Sequence, residues 1–137
     1  MKLSGKPFLE GQLIIGVDFD GTITQQPDMA DTMTLQPECK RVLEKWKYAG
    51  VRLVLWTCRT GTAFDNALAF LEANDMLHLF DAVNDQLPEM YEKYEIISRK
   101  LGADIYIDDR NLGCVIDWKK FEAQLEYLIQ SIATSRI

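Results

Sequence analysis

The chain has 137 residues, of which 47% are hydrophobic and 26% charged, and this balance indicates one globular domain and argues against disorder. Acidic residues outnumber basic ones by 21 to 15, and the net charge of −6 argues against non-specific binding to nucleic acid or to anionic membranes. A single histidine and three widely spaced cysteines exclude a zinc site with two imidazole ligands and indicate free thiols in a reducing cytoplasm. No apolar run is long enough to cross a bilayer, so we expect no membrane-bound segment.

Short apolar segments rich in β-branched residues are predicted as buried strands. They cover 13–17, 51–56 and 105–107, and 80–84 is a weaker candidate. The three stronger segments are each followed directly by a polar residue of a type that carries chemistry.

Amphipathic segments with a period of 3.6 residues are predicted as helices that face a common core. They cover 37–48, 62–74, 88 to about 97 and 118–132, and the irregular stretch 24–36 is interpreted as a loop or small flap. Strands that alternate with helices predict an α/β fold with a mainly parallel sheet of about four to five strands and right-handed crossovers. The whole chain, 1–137, is predicted to form a single domain.

Polar residues at the carboxyl ends of the predicted strands are expected to meet at one edge of the sheet, where ligands of parallel α/β sheets bind. Asp18 follows the first strand, Thr57 the second, and Asp108 and Asp109 the last. Carboxylates gathered in this way repel one another and need a cation. Because no sulfur or imidazole pattern accompanies them, we expect a hard ion with oxygen ligands, and Mg²⁺ fits best.

The most specific pattern is Asp18-Phe19-Asp20-Gly21-Thr22, directly after the first strand. Gly21 allows a sharp turn of the chain, and Thr22 is suited to cap the segment after that turn. The alternation of side chains along an extended segment places Asp18 and Asp20 on the same side, so that both can reach one site.

Four parts of the chain together resemble the motifs of the haloacid dehalogenase-like (HAD) phosphohydrolase superfamily. They lie between about Leu13 and Arg110 and are Asp18 to Thr22, Thr57 after a strand, a lysine near position 100, and Ile107-Asp108-Asp109-Arg110. The resemblance implies a Rossmann-like three-layer sandwich. The intervals from Asp20 to residue 37 and from Thr57 to Asp108 leave no room for a folded cap domain, so the capless branch is expected.

The resemblance also implies roles for the residues of the first and last motifs. Asp18 would be the nucleophile that forms an aspartyl-phosphate, and Asp20 would protonate the leaving oxygen and later activate water. Mg²⁺ would be held by the Asp18 carboxylate, the backbone carbonyl of Asp20 and Asp109, with Asp108 as a further ligand or a support.

Further residues are expected to bind the phosphoryl group or to balance its charge. Thr57 would donate a hydrogen bond to a phosphoryl oxygen. Lys100 would offset negative charge, provided that the third helix ends early and leaves 98–100 irregular, and Lys93 is the alternative. Arg59 and Arg110 would either bind a substrate phosphate or balance the surrounding carboxylates. Gly21 and Thr22 are also assigned to substrate binding.

The function implied by the resemblance is a Mg²⁺-dependent phosphatase that hydrolyses a phosphate monoester. The ending Asp108-Asp109-Arg110 resembles the phosphatase domain of polynucleotide kinase–phosphatases and the deoxyribonucleotidases. The acidic net charge favours a small phosphate ester over a nucleic-acid end, and a neighbouring subunit in a homo-oligomer would be one way to cover the open site. The alternatives are a polynucleotide phosphatase and a non-catalytic HAD-like binding protein, against which the presence of Asp20 argues.

Overall fold

Four parallel strands form the central sheet of the computed structural model, which describes residues 1–95 and 98–135. The strands are β1 (Ile14–Val17), β2 (Arg52–Leu55), β3 (Ala82–Val83) and β4 (Ile105–Ile107). Their spatial order is β3-β2-β1-β4, and every neighbouring pair is parallel. The predicted α/β class and parallel sheet are confirmed, although β1, β2 and β3 are shorter than the apolar segments that predicted them.

Four α-helices cover the two faces of the sheet in the described part of the chain. They are α1 (Cys39–Tyr48), α2 (Gly61–Ala73), α3 (Pro88–Lys93) and α4 (Trp118–Ser135). The prediction that the third helix extends to about residue 97 is wrong. The backbone of Tyr94 is extended, and residues 98–100 are irregular, while Ile96 and Ile97 lie outside the described residues.

The sheet lies between two helical layers of unequal size. Ile15 and Val17 of β1 point into the larger core, and Ile14 points into a smaller core on the other face. The larger core receives buried side chains from α1, α2 and α4, namely Val42, Leu43, Trp46, Ala67, Leu71, Trp118, Leu125 and Ile129. Met90 of α3 lies in the smaller core. The three-layer arrangement is the one expected, and this distribution of helices is the one that crossovers of a single hand produce.

The order of the strands places a topological switch point between β1 and β4. The chain runs outward from β1 through β2 to β3, and then crosses back on the other face to place β4 beside β1. Ligands of open α/β sheets bind outside the carboxyl ends of the strands at such a point. Asp18 follows β1 there, and its backbone N–H donates to the carbonyl of Ile107 at 2.9 Å, which extends the pairing of the two strands up to the predicted site.

The segment 24–36 forms a small flap and not a second folded unit. An antiparallel bridge between Thr24 and Leu35 closes its base, and the backbone N–H of Gln25 donates to the carbonyl of Thr34 at 2.9 Å. The side chain of Gln26 pairs with Thr34 through two further hydrogen bonds of 2.9 Å. The expectation of a flap without a folded cap agrees with this arrangement.

None of the helices in residues 1–95 and 98–135 combines the length and apolar character that crossing a bilayer requires.

Candidate active site

Three carboxyl groups converge where β1 and β4 end. Asp18, Asp108 and Asp109 each place one carboxylate oxygen within 4.8 Å of the other two. All three side chains are partly buried. The structure therefore brings together residues that are far apart in the sequence, as the strand-end argument predicted, and the cluster offers only oxygen atoms to a ligand.

The carboxyl of Asp18 lies in surroundings that disfavour its charged form. Burial raises the pKa of its carboxyl from 3.8 to about 7, and the charge of Asp108 and a close contact with Asp109 act in the same direction. The hydroxyl of Thr22 donates to Oδ2 of Asp18 at 3.0 Å and partly opposes this rise in pKa. The carboxyl is therefore poised to titrate near neutral pH, and a cation beside it would favour the charged form.

Thr22 forms hydrogen bonds to both Asp18 and Asp109 and so connects the residues that follow β1 and β4. Its fully buried hydroxyl donates to Asp18 and accepts a hydrogen bond of 2.9 Å from the backbone N–H of Asp109. Its carbonyl accepts a hydrogen bond of 3.0 Å from the indole of Trp118. The predicted substrate contact of Thr22 is therefore corrected, because a side chain with no exposed surface and an occupied hydroxyl positions the carboxylates and cannot touch substrate.

Gly21 makes room for Asp109. Its backbone has a φ of +73°, which favours glycine, and a Cβ at this position would overlap Oδ2 of Asp109 and lie 2.9 Å from its Cγ. The backbone N–H of Gly21 donates to Oγ1 of Thr24 at 3.3 Å, so the structure does not bear out its predicted contact with substrate. Oδ1 of Asp109 is buried and has no hydrogen-bond partner among the described residues.

We predict that Gly21→Ala costs more stability than Gly113→Ala. Gly113 has nearly the same φ, +74°, but a Cβ there meets nothing within 4 Å, so this control measures backbone strain alone. We expect a loss of about 1 kcal/mol for Gly113→Ala and about 2–4 kcal/mol for Gly21→Ala, because the latter also displaces the Asp109 carboxylate. Urea unfolding of both variants measures the difference, and equal losses would contradict the proposed role of Gly21.

Asp20 does not share the surroundings of Asp18. Its carboxylate forms a bidentate pair with Arg59, whose Nε lies 3.1 and 3.0 Å from the two oxygens and whose Nη2 lies 2.8 Å from Oδ1. The guanidinium is almost completely buried, with 2% of the Arg59 surface exposed. Of the two roles left open for Arg59, the structure shows the balancing of a carboxylate.

Thr57 lies at the carboxyl end of β2, where two hydrogen bonds fix its loop. Its backbone N–H donates to Oδ1 of Asn84 at 2.7 Å, and its hydroxyl oxygen accepts from the backbone N–H of Arg59 at 3.2 Å. The hydrogen of that hydroxyl has no acceptor in the described part of the chain. The side chain can therefore donate to a ligand, which is the role that the resemblance implies for it and which stays a prediction.

The predicted lysine is not brought into the cluster. The ammonium group of Lys100 lies 5.4 Å from the centre of the Tyr106 ring and forms no ion pair with a carboxylate among residues 1–95 and 98–135. The alternative, Lys93, donates to the carbonyl of Phe8 at 2.6 Å, and the N–H of Phe8 binds Asp104, which precedes β4. Lys93 therefore lies toward the opposite edge of the sheet, while the role of Lys100 stays a prediction.

Arg110 is the exposed cation next to the cluster. Its backbone N–H donates to Oδ1 of Asp108 at 2.9 Å, and its side chain makes no ion pair with the described residues. Of the two predicted roles of Arg110, contact with a substrate anion is the one that its exposure suits.

Comparison with known proteins identifies a structural relative of this chain. A conserved protein encoded by a locus of Bacteroides thetaiotaomicron has a solved structure that is 32% identical in sequence, with a TM-score of 0.71. The match covers 85% of this chain and 92% of that one. This chain belongs to the family of that protein. No protein-family model and no curated protein matches the sequence. Because one fold supports many activities, the residues of the site, and not this likeness, indicate the function.

Two residues that support the site were not among those predicted from the sequence. Asn84 directly follows β3 and holds the Thr57 loop, with a backbone φ of 51° that asparagine tolerates better than most residues. Trp118 of α4 binds the carbonyl of Thr22 and packs against Trp46 with ring centres 5.7 Å apart. The position of Asn84 at the end of a predicted strand could have indicated its role from the sequence. The sequence does not show which carbonyl the indole of Trp118 binds.

Proposed function

We propose that this chain is a HAD-like phosphatase that hydrolyses a phosphate monoester through an aspartyl-phosphate on Asp18. The observation that carries the proposal is the convergence of Asp18 with Asp108 and Asp109 at the switch point between β1 and β4. Asp20 lies two residues further along the same loop and is the second carboxyl group that the proposal assigns to the reaction.

The donor set fits the proposed Mg²⁺ cofactor. A cluster of carboxylates is the chemistry that a hard cation prefers, and the buried Oδ1 of Asp109 has no partner among the described residues. Asp18, Asp109 and the backbone carbonyl of Asp20 would hold the ion, with Asp108 as a further ligand or support. When bound, the ion would neutralise charge on the phosphoryl oxygens and orient the group for attack.

In the proposed reaction, a carboxylate oxygen of Asp18 attacks phosphorus while the bond between phosphorus and the ester oxygen breaks. Asp20, protonated in the enzyme–substrate complex, gives this proton to the departing oxygen, so the alcohol leaves neutral. A water molecule then attacks the phosphorus of the aspartyl-phosphate and gives a proton to Asp20. Inorganic phosphate departs, and the Asp18 carboxylate is restored.

Other side chains would hold the phosphoryl group during these steps. The free hydroxyl hydrogen of Thr57 is the proposed donor to a phosphoryl oxygen. Arg110 is the proposed exposed cation for the substrate anion, and Lys100 would have to leave the Tyr106 ring to assist. Such groups act by positioning and by charge stabilisation, which are the main demands of phosphoryl transfer.

The proposed substrate is a small phosphate ester. The flap between β1 and α1 is too small to enclose a substrate as a folded cap would, and the net charge of −6 repels long polyanions. All three cysteines are free, which agrees with the proposed reducing compartment, the cytoplasm.

The proposal is tested by measuring hydrolysis of an aryl phosphate with and without MgCl₂, followed by a panel of nucleotides, sugar phosphates and a 3′-phosphorylated oligonucleotide. We expect turnover that requires the divalent cation and that is highest with a small ester. Turnover of the oligonucleotide alone would favour the polynucleotide phosphatase. Absence of turnover with every ester, together with intact binding of the cation, would favour the non-catalytic binding protein.

A further inference from the structure

Arg59 is a charged side chain in a place where charge is costly. With 2% of its surface exposed, its guanidinium depends on partners within the protein, because an unpaired buried charge destabilises a fold strongly. Asp20 supplies the only carboxylate paired with it in the described part of the chain. The guanidinium also lies over the ring of Phe19, with 5.2 Å between Cζ and the ring centre.

The remaining N–H groups of Arg59 bind two other parts of the fold. Nη2 donates to the carbonyl of Ala30 at 3.2 Å and lies 3.5 Å from the sulfur of Met33, and both of these residues belong to the flap. Nη1 donates to the carbonyl of Ala63 in the first turn of α2 at 3.0 Å. The guanidinium of Arg59 therefore connects the Asp20 carboxylate, the flap and α2, the helix that begins directly after the loop of Arg59.

We propose that Arg59 is a positioning residue that couples the flap to Asp20, an inference that rests on the proposed function for the role of Asp20. If the flap moves away, Arg59 loses its partners at Ala30 and Met33, and the network that holds the Asp20 carboxylate is weakened, so the flap and the Asp20 carboxylate hold their places together. The group that Asp20 protonates is the departing oxygen of the substrate. The leaving group must therefore lie beside the flap.

The kinetic test compares two esters that differ in their need for a proton. The alcohol of an alkyl phosphate needs one to leave, whereas dinitrophenolate departs without it. The measured quantity is kcat/KM, which covers the steps up to departure of the leaving group. For Arg59→Met we expect a loss of about 100-fold with the alkyl phosphate and of less than about 5-fold with dinitrophenyl phosphate, since general acid catalysis contributes about 10²–10⁴-fold.

A double-variant comparison separates positioning from a merely structural role. Because Arg59 would act through Asp20, adding Arg59→Met to Asp20→Asn should lower kcat/KM by less than about 2-fold further. The double variant removes both members of the buried pair and leaves no charge alone, so it is compared with Asp20→Asn or, if the Arg59 charge left alone in Asp20→Asn prevents folding, with Arg59→Met, and in either comparison the two losses should not add. Arg59→Lys keeps the positive charge but lacks the planar group that binds both carboxylate oxygens. Its kcat/KM for the alkyl phosphate should therefore lie between those of the wild type and Arg59→Met.

The coupling to the flap has a readout that does not depend on catalysis. Asp28 and Asp31 are exposed on the flap, so a protease that cuts before aspartate reports how often the flap opens. We expect several-fold faster cutting at these two sites in Arg59→Met than in wild type. Arg41→Met, which removes an exposed ion-paired arginine of α1, should change neither the cutting nor kcat/KM.

The positioning role of Arg59, its coupling to the flap and the proposed function are each overturned by a different result. An equal loss of kcat/KM on both esters, or a loss that adds to that of Asp20→Asn, would overturn the positioning role while leaving the proposed phosphatase intact. Unchanged cutting of the flap in Arg59→Met would overturn the coupling. Absence of turnover in the wild type with both esters would instead overturn the proposed function, and with it the catalytic half of this inference.

Discussion

Replacing Asp18 with asparagine is expected to lower kcat/KM for phosphate-ester hydrolysis by at least about 10³-fold, because the amide cannot form the acyl-phosphate bond. The fold should survive this change. Asparagine has nearly the same shape, and its carbonyl oxygen can still accept the hydrogen bond that Thr22 donates to Oδ2 of Asp18 at 3.0 Å. The loss of activity should therefore not reflect unfolding.

The same substitution should make the cation-free protein more stable at pH 8. The pKa of Asp18 is about 7 in the folded protein, whereas it is near 3.8 when the carboxyl is freely solvated. Between these two values the folded state holds a proton that the unfolded state has lost, so wild-type stability falls as pH rises from about 4 to about 7. One pKa unit corresponds to about 1.4 kcal/mol, and since solvent partly reaches this carboxyl we expect a gain of only about 1–2 kcal/mol for Asp18→Asn.

Thermal and urea unfolding at pH 4.5 and pH 8, in buffer with a chelator, measure this effect beside the activity assay. The stability gain at the lower pH should be only about a quarter of the gain at the higher pH. Asp65→Asn, on the exposed side of α2, removes the same formal charge away from the cluster and is expected to change neither stability nor activity appreciably. A stability gain that does not depend on pH would show that Asp18 is not the titrating group.

The convergence of the carboxylates was predictable because it depends on topology alone. Asp18, Asp108 and Asp109 follow strands that are recognisable by their apolar residues, and the carboxyl ends of parallel strands meet at one edge. No knowledge of side-chain conformation enters this step. The same reasoning placed Thr57 correctly at the end of β2.

The partners of individual side chains were not predictable in the same way. An arginine pairs equally well with a carboxylate or a phosphate, and the sequence does not show that Arg59 is buried between Asp20 and the flap. Gly21 and Thr22 could be assigned to a turn from local sequence. Their contacts with Asp109 depend on the approach of a residue that lies 87 positions away from Thr22 in the sequence.

The early end of α3 shows how a distant contact overrides a local pattern. The periodicity of the sequence continues past Lys93, but the backbone of Tyr94 turns extended, and its ring packs edge-on against Phe8 with centres 6.4 Å apart. Phe8 belongs to the N-terminal segment, which no helical pattern could reveal. The early end frees residues 98–100 from the helix, which is the condition under which a role for Lys100 was expected.

A divalent cation should stabilise the wild type at pH 8, and Asp109→Asn should abolish this stabilisation. Binding to the folded state alone stabilises by about 2.7 kcal/mol when the ligand is at 100 times its Kd. Asp109 is the most informative residue to substitute in this test. Its buried Oδ1 has no partner among the described residues, and its Oδ2 is packed against Gly21. In Asp65→Asn the stabilisation by MgCl₂ should equal that of the wild type.

The affinity for Mg²⁺ should also depend on pH, since the ion competes with the proton on Asp18. With the pKa of this carboxyl at about 7, the ionised fraction falls about tenfold from pH 8 to pH 6, and the Kd should rise by about the same factor. Calorimetry in two buffers with different heats of ionisation, at pH 7, should detect about half a proton released per ion bound. Equal stabilisation of wild type and Asp109→Asn by MgCl₂ would show that the ion binds elsewhere on this acidic protein, and that the cluster at the ends of β1 and β4 is not its site.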